Sequence, residues 1–292
     1  MANLKEIRTR IASVASTKKI TSAMKMVSAA KFKKAQINLL RFRPFNIQIN
    51  NILQLSIEFI DSLNSDYVNE RKNVKSIVII VITSNNSMCG AFNSNIIKYS
   101  NEQYKYLSTR YPSATISFYT LGKKGYDALS RRGFSTIELN HKILDKPNIE
   151  NIKDIFDILV SEFKQGSVDK IFLIYNMFKS AASQQQVAEQ LLPINISRKA
   201  RKTNKLKPII EPNPQVLVDR ILPYYLLNKI YSAILESVAA EHGARMTAMH
   251  QATENAVALH NQLLLEYNKA RQAAITKEIL EIVSGANALS SK

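Results

Sequence analysis

Apolar residues recur every three or four positions at both ends of the chain and run together only in its middle. Leu4, Ile7, Ile11 and Val14 make one helical stripe, and Ile20, Met24 and Val27 continue it after a phase slip at Thr17-Lys18. Pro44 predicts a kink, beyond which Phe45, Ile49, Ile52, Leu53 and Ile57 resume the helix. From Tyr224 to Ser284 the chain runs 61 residues with no Pro and one Gly, Gly243, and is rich in Ala, Leu, Glu and Gln. That reads as one helix, which at 1.5 Å per residue spans roughly 90 Å. A helix so long must project from its domain or be sheathed. Its seam runs through Met249, Ala252, Ala256, Leu259, Leu263, Tyr267, Ala270 and Ala274, close to a heptad stripe whose alanines let a partner helix approach closely. The pattern predicts an antiparallel coiled coil made by the two ends of the chain.

The middle changes period. Ser76 to Thr83 is apolar on both faces, as a parallel strand covered on both sides must be. Further strands are expected at Thr115–Thr120, Ser135–Leu139, Lys170–Tyr175 and, as an edge, Gln185–Ile194. Helices are expected at Asn93–Arg110, Gly125–Arg132 and Asn151–Phe163. Such alternation predicts a small doubly wound sheet. The fold expected is an α/β insert plus a long antiparallel coiled coil formed by the N- and C-terminal helices. Its divisions are residues 1–60 (first helix), 74–197 (α/β), 198–214 (basic loop and Pro-bounded turn) and 215–286 (last helix).

Composition narrows the function. The 292 residues are 46% hydrophobic, enough for a sizeable core. The longest strongly apolar run, Ile77–Ile82, is far short of the ~20 residues of a membrane span. The start lacks the apolar stretch of a secretory signal. A single cysteine, Cys89, excludes an internal disulfide. The net charge of +17 is concentrated: residues 1–43 hold eleven Lys/Arg against Glu6, and 198–207 hold six with no acid. Acidic protein, nucleic acid and anionic lipid would each answer that charge.

Catalytic chemistry is harder to find. There is no GxxxxGK[ST] loop, and Gly122-Lys-Lys-Gly125 reads as an ordinary strand-to-helix turn with a faint echo of a phosphate turn. Ser84–Gly90 follows the first strand, where α/β ligand sites often sit, but lacks paired glycines. The histidines 141, 242, 250 and 260 have no helical metal spacing. Cys89 has no evident base and reads as a buried thiol, and Glu278 and Glu281 read as a solvated face. No catalytic residue, cofactor or metal site is expected.

Both ends of the chain carry motifs. Lys5–Val14 (KEIRTRIASV) followed by Thr17–Val27 (TKKITSAMKMV), Glu236–Met249 (ESVAAEHGARMTAM) with Ala252–Ala256, and Ile275–Ala286 (ITKEILEIVSGA) together resemble the gamma subunit of the rotary, proton-driven ATP synthase. Asn176–Ser180 and Glu211–Pro214 also fit, so the resemblance covers the whole chain. One stretch departs: the family reads close to Ser-Asp-Arg/Lys-Gly-Leu-Cys-Gly where this chain has Ser84-Asn-Asn-Ser-Met-Cys-Gly90. The resemblance implies a Rossmann-like domain beside a membrane ring and a non-catalytic, asymmetric shaft in the bore of the nucleotide-holding subunits. It implies single-copy assembly with alpha, beta and epsilon subunits and the c-subunit ring. It places the chain peripherally on the cytoplasmic face of a bacterial inner membrane, with no direct insertion.

It also implies sites. Met24, Lys25, Arg245, Arg271, Gln272 and Thr276 would meet beta-subunit loops, with Lys18, Lys19, Lys31, Lys33 and Lys34 adding a basic face. Lys205, Lys207 and Glu211 would form a foot on the c-ring and epsilon. Two other readings stand beside it. A basic coiled-coil nucleic-acid-binding protein, suggested by a pI near 9.8, predicts polyanion binding that falls steeply with salt. A small-molecule α/β enzyme with helical arms predicts ligand binding by the isolated chain.

Overall fold

The structure, a computed structural model, describes residues 4–62, 65–71, 73–195, 211 and 213–290. The chain order is α1 (Leu4–Ser62), β1 (Ser76–Ile82), α2 (Phe92–Arg110), β2 (Thr115–Leu121), α3 (Lys123–Ser130), β3 (Thr136–Glu138), a 3₁₀ turn at His141–Leu144, α4 (Ile149–Gln165), β4 (Lys170–Phe178), β5 (Gln184–Leu192) and α5 (Pro214–Ser290). By contacts it falls into two units: Ser28–Arg245, and Met1–Val27 with Met246–Lys292.

In the Ser28–Arg245 unit the five strands lie in the order β3-β2-β1-β4-β5. β1 pairs parallel with β2 and β4, β2 with β3, and the last pair, β4 and β5, is antiparallel. The apolar run of β1 is explained by its two faces. Val78, Ile80 and Ile82 enter one core with Leu159 and Phe163 of α4, Leu39 of α1, and Leu226, Ile230 and Ile234 of α5. Ile77, Ile79 and Val81 enter the other with Ile96, Ile97 and Leu107 of α2 and Leu129 of α3. Between Val218 and Arg245, α5 is buried nearly all round, because the sheet side and α1 both cover it. Here α1 and α5 run antiparallel: Asn46 bonds Ser232, Arg43 pairs with Glu236, and Phe42 packs edge-on against Tyr231.

The terminal unit is simpler. Within it Thr21 lies against Thr253 and Lys25 against His250, so later residues of one helix meet earlier residues of the other. That register puts Leu4 opposite about residue 270 of α5. The seam repeats every seven residues: on α1 Ile7 and Thr21 are buried with Val14 half-buried between them, and on α5 Met249, Ala256 and Leu263 are buried. A strict seven-residue repeat calls for left-handed supercoiling.

This corrects two sequence expectations. No phase slip occurs at Thr17-Lys18; the seam goes straight on through Thr21, and Ile20 and Val27 are 57% and 56% exposed. On α5, His260 takes the seam position while Leu259 is 45% exposed. Heptad geometry outweighs side-chain polarity, because only every third or fourth residue can face the partner. At Pro44 the helix continues, as the sequence expects of a stripe that resumes at Phe45. Pro44 and Leu40, whose carbonyl it deprives of a donor, are both exposed, where water can take the bond.

The start of β1 is held by one carboxylate. Asp169 accepts from the Lys75 and Ser76 amides at 2.6 and 3.0 Å and from Arg71 at 2.9 Å. Burial alone would raise its pKa, but Arg71 and the two amides outweigh it and hold the carboxyl below its ordinary value. A depressed folded-state pKa gives stability that is complete above about pH 4 and lost as pH falls through the folded value. Asp169→Asn is therefore expected to lower unfolding stability by about 2–3 kcal/mol at pH 7. The deficit should shrink in denaturant titrations at pH 3, where the carboxyl of the unfolded chain, with a pKa of about 4, is largely protonated; an equal deficit at both pH values would contradict the assignment.

Candidate functional site

The terminal unit presents the first group of sequence-predicted contacts. Met24 and Lys25 are half-buried beside the seam. Lys25 donates to His250 Nδ1 at 3.1 Å, which leaves the ring proton on Nε2, 3.5 Å from Glu254. Lys18 and Lys19 are exposed. Ala270 and Ala274 are half-buried, and Arg271, Gln272 and Thr276 lie off that seam, fully on the exposed side. Among the described residues Arg271 makes no ion pair. Beyond Ala274 every residue to Asn287 is exposed, including Ile275 at 48%, Ile279 at 54%, Leu280 at 60% and Ile282 at 71%. An isolated helix has no reason to display so many aliphatic side chains to water; such a surface fits a partner that surrounds it.

The Ser28–Arg245 unit treats its predicted residues differently. Lys31, Lys33 and Lys34 are exposed on α1. Arg245, expected to face outward, is 7% exposed and used inside the chain. It pairs with Glu241 and donates to the carbonyls of Asn86 and Ser87 at 3.0 and 3.3 Å. The Ser84–Gly90 loop is thus braced despite its departure from the family pattern. Asn93 caps the Ser84 amide, Asn85 reaches His141 O, and Met88 stands out at φ 64 with 57% exposure. Cys89 is buried, and burial pushes its thiol pKa up. His242 Nδ1 is buried without a partner among the described residues. Burial, helped by Arg245 and Lys31, lowers that ring's pKa to about 4, so it is neutral at pH 7. Glu211 is exposed, and Lys205 and Lys207 lie outside the described residues.

Among the described residues no three His, Cys, Asp or Glu side chains are placed to hold a metal ion, and no helix is long and apolar enough to cross a membrane. The Gly122–Gly125 turn is occupied by the protein itself: Thr83 Oγ1 accepts from the Gly125 amide at 2.9 Å and donates to Gly122 O. A Cβ on Gly122 would lie 2.4 Å from Thr83 O, and φ there is +117°. The glycine therefore serves close strand-to-helix contact, and the Lys123, Lys124 and Gly125 amides that could meet a phosphate already donate to Asn85, Ser84 and Thr83. A cavity of 260 Å³ is lined by Asn46, Asn50, Tyr175, Glu189, Tyr225, Lys229 and Ser232. Its charges are already paired, Lys229 with Glu189 at 3.0 Å.

The bare aliphatic end of α5 fits a surface met by a partner. The family model for ATP synthase matches residues 3–289. The ATP synthase gamma chain of Flavobacterium johnsoniae is 47% identical over 291 residues, covering 99% of both chains. That of Christiangramia forsetii is 46% identical over 290 residues, again 99% of both. The chain belongs to the ATP synthase gamma chain family. Among solved structures, the central stalk and c-ring of the Tetrahymena thermophila mitochondrial ATP synthase aligns with 26% identity and a TM-score of 0.58, over 80% of this chain and 99% of that one. Membership in this family leaves the nucleic-acid reading of the basic stretches without support.

Sequence reasoning missed two polar residues that bind α5 to the α/β domain: Lys229, answered by Glu189, and Glu236, answered by the Phe178 amide. A signal existed, since a charged residue inside the apolar stretch Ile230–Ala240, Glu236, must find a partner to be buried, and Lys229 borders the same stretch. Because Thr83 fills the turn, the isolated chain is expected to show no micromolar heat of binding with magnesium ATP; calorimetry that found such binding would overturn this view of the site.

Proposed function

We propose that this chain is the central-stalk rotor of a bacterial, proton-translocating ATP synthase, itself non-catalytic. It couples rotation of the c-ring to conformational change in the alpha/beta hexamer. The observation that carries the reading is the bare, aliphatic end of α5 beyond Ala274, on a helix paired antiparallel with α1, in a chain of the gamma family. Residues 1–60 and 215–286 are the shaft, 74–197 the lower domain, and 198–214 the foot that meets the c-ring and epsilon through Lys205, Lys207 and Glu211. The complex sits on the cytoplasmic face of the inner membrane, with this chain peripheral to it. Affinity purification from detergent-solubilised native membranes tests the reading: alpha, beta, epsilon and c subunits should co-purify with the tagged chain, and their absence would refute it.

On this reading the exposed Lys18, Lys19, Lys31, Lys33 and Lys34 meet acidic beta-subunit loops through screened, long-range attraction, which guides rotation without a deep well. Met24, half-buried beside Lys25, marks where an extra charge would deepen that well. Met24→Lys should leave assembly intact and lower protons pumped per ATP by at least about half, since a desolvated ion pair is costly to separate.

Arg271, Gln272 and Thr276 form a catch on the exposed side of α5. An Arg fork suits a carboxylate, and the Gln amide adds a hydrogen bond. The double change Arg271→Ala with Gln272→Ala should reduce ATP-driven pumping or complex yield about tenfold, the scale of lost charged hydrogen bonds. Lys269→Ala, on the same helix, should change neither; a double variant with native pumping and yield would remove the catch.

A further inference from the structure

In a rotor that is driven at its α/β domain, torque must cross from that domain into the helices, and two kinds of contact are available in the Ser28–Arg245 unit. The first is apolar: α5 residues Val218 to Ala239 share a core with the sheet and α4. Apolar packing is strong but non-directional, and resists sliding only through its shape. The second is a series of charged hydrogen bonds, whose energy depends steeply on angle and distance.

Three α5 side chains make these bonds, and each takes hold of a different part of the α/β domain. Lys229 pairs with Glu189 of β5 at 3.0 Å, and the same carboxylate accepts from Tyr175 of β4 at 3.0 Å. Burial disfavours the ammonium, but Tyr225 and Glu189 outweigh it and hold its pKa above the ordinary value, so Lys229 stays charged. Glu236 accepts from the Phe178 backbone amide at 2.9 Å where β4 ends, while its other oxygen takes Arg43 of α1 at 3.3 Å. Arg245, aligned by Glu241, donates to Asn86 O and Ser87 O in the β1–α2 loop. From Lys229 to Arg245 is 16 residues, about 24 Å of helix rise. Grips spread over that length oppose tilting as well as twisting. The targets matter too: backbone groups at a strand end and in a braced loop have no rotamers through which to yield.

We propose that Lys229, Glu236 and Arg245 are the torque-transmitting couplings between the α/β domain and α5, with Arg43 extending the Glu236 coupling to α1. This rests on the rotor reading above and names the residues by which it would work. They are positioning residues: they touch no nucleotide and act by keeping domain and helix in step.

The test uses the whole complex carrying Lys229→Met with Glu236→Gln, changes that keep side-chain length while removing charge. With the alpha/beta sector immobilised and a probe on the c-ring, angular fluctuation in a stalled state reports torsional stiffness, and reconstituted vesicles report protons pumped per ATP. Stiffness should fall at least about twofold, with pumping per ATP falling alongside it, as expected when charged hydrogen bonds are lost from a mechanical series. Tyr119→Phe, which removes a bond to Glu162 wholly inside the α/β domain, serves as the control for general loosening and should retain native stiffness. A double variant as stiff as the native complex, or an equal softening by Tyr119→Phe, would overturn the proposal. If the native complex itself lacks this subunit or does not rotate, the rotor reading fails instead, and the native control shows which has happened.

Discussion

The apolar side chains of α5 must be kept from water along 77 residues, and the rest of the structure follows from how that is done. Intrahelical hydrogen bonds satisfy the backbone, but most helical stability in a folded protein comes from burying a face. Between Val218 and Arg245 the sheet, α4 and α1 bury α5 nearly all round. Between Met249 and Ala274 α1 is the partner, so only a heptad stripe is buried, and Leu259, Leu264 and Leu265 are left exposed among polar neighbours. Beyond Ala274 no partner remains among the described residues, yet the sequence stays aliphatic at Ile275, Ile279, Leu280, Ile282 and Val283. The first two stretches are solved by this chain alone. The third makes sense in an assembly.

The seam of the terminal unit is a weak adhesive by composition. Thr21 occupies a core position opposite Thr253, their hydroxyls 2.9 Å apart, and Lys25 meets His250 in the next layer. Polar groups at seam positions cost hydrophobic energy but specify register, since a shifted pairing would leave them unpartnered. Small residues such as Ala256 also hold the helices close, which favours stiffness over bulk. A shaft that must turn without slipping along itself needs defined register more than maximal stability.

The α/β domain meets a different demand. Its strands are ordinary buried strands, but its contacts to α5 combine apolar packing with charged bonds from Lys229, Glu236 and Arg245. Gly243 belongs to the same design: a Cβ there would come within 3.1 Å of Ala181, so the glycine lets the turn after β4 sit directly on the helix.

Much of this was written in the residues. The lengths of the two helices, the antiparallel pairing, the five strands and the absence of a phosphate loop follow from hydrophobic period and from Gly and Pro placement, which depend on backbone geometry that any reader of a sequence can apply. The end motifs placed the chain in its family, and the exposure of Arg271 and Gln272 followed from the Ala270/Ala274 seam. Tertiary structure decided the rest. It ran the seam through Thr21 and His260 in place of Ile20 and Leu259, because facing a partner is a matter of angle and not of hydrophobicity. It turned Arg245 inward, and it joined Glu236 to Phe178 and Lys229 to Glu189. Those pairings span 40 to 159 residues of chain, and no local pattern encodes which distant backbone amide or carboxylate a buried charge will find; that is settled only when the sheet and the helix are packed together and each buried charge must be answered.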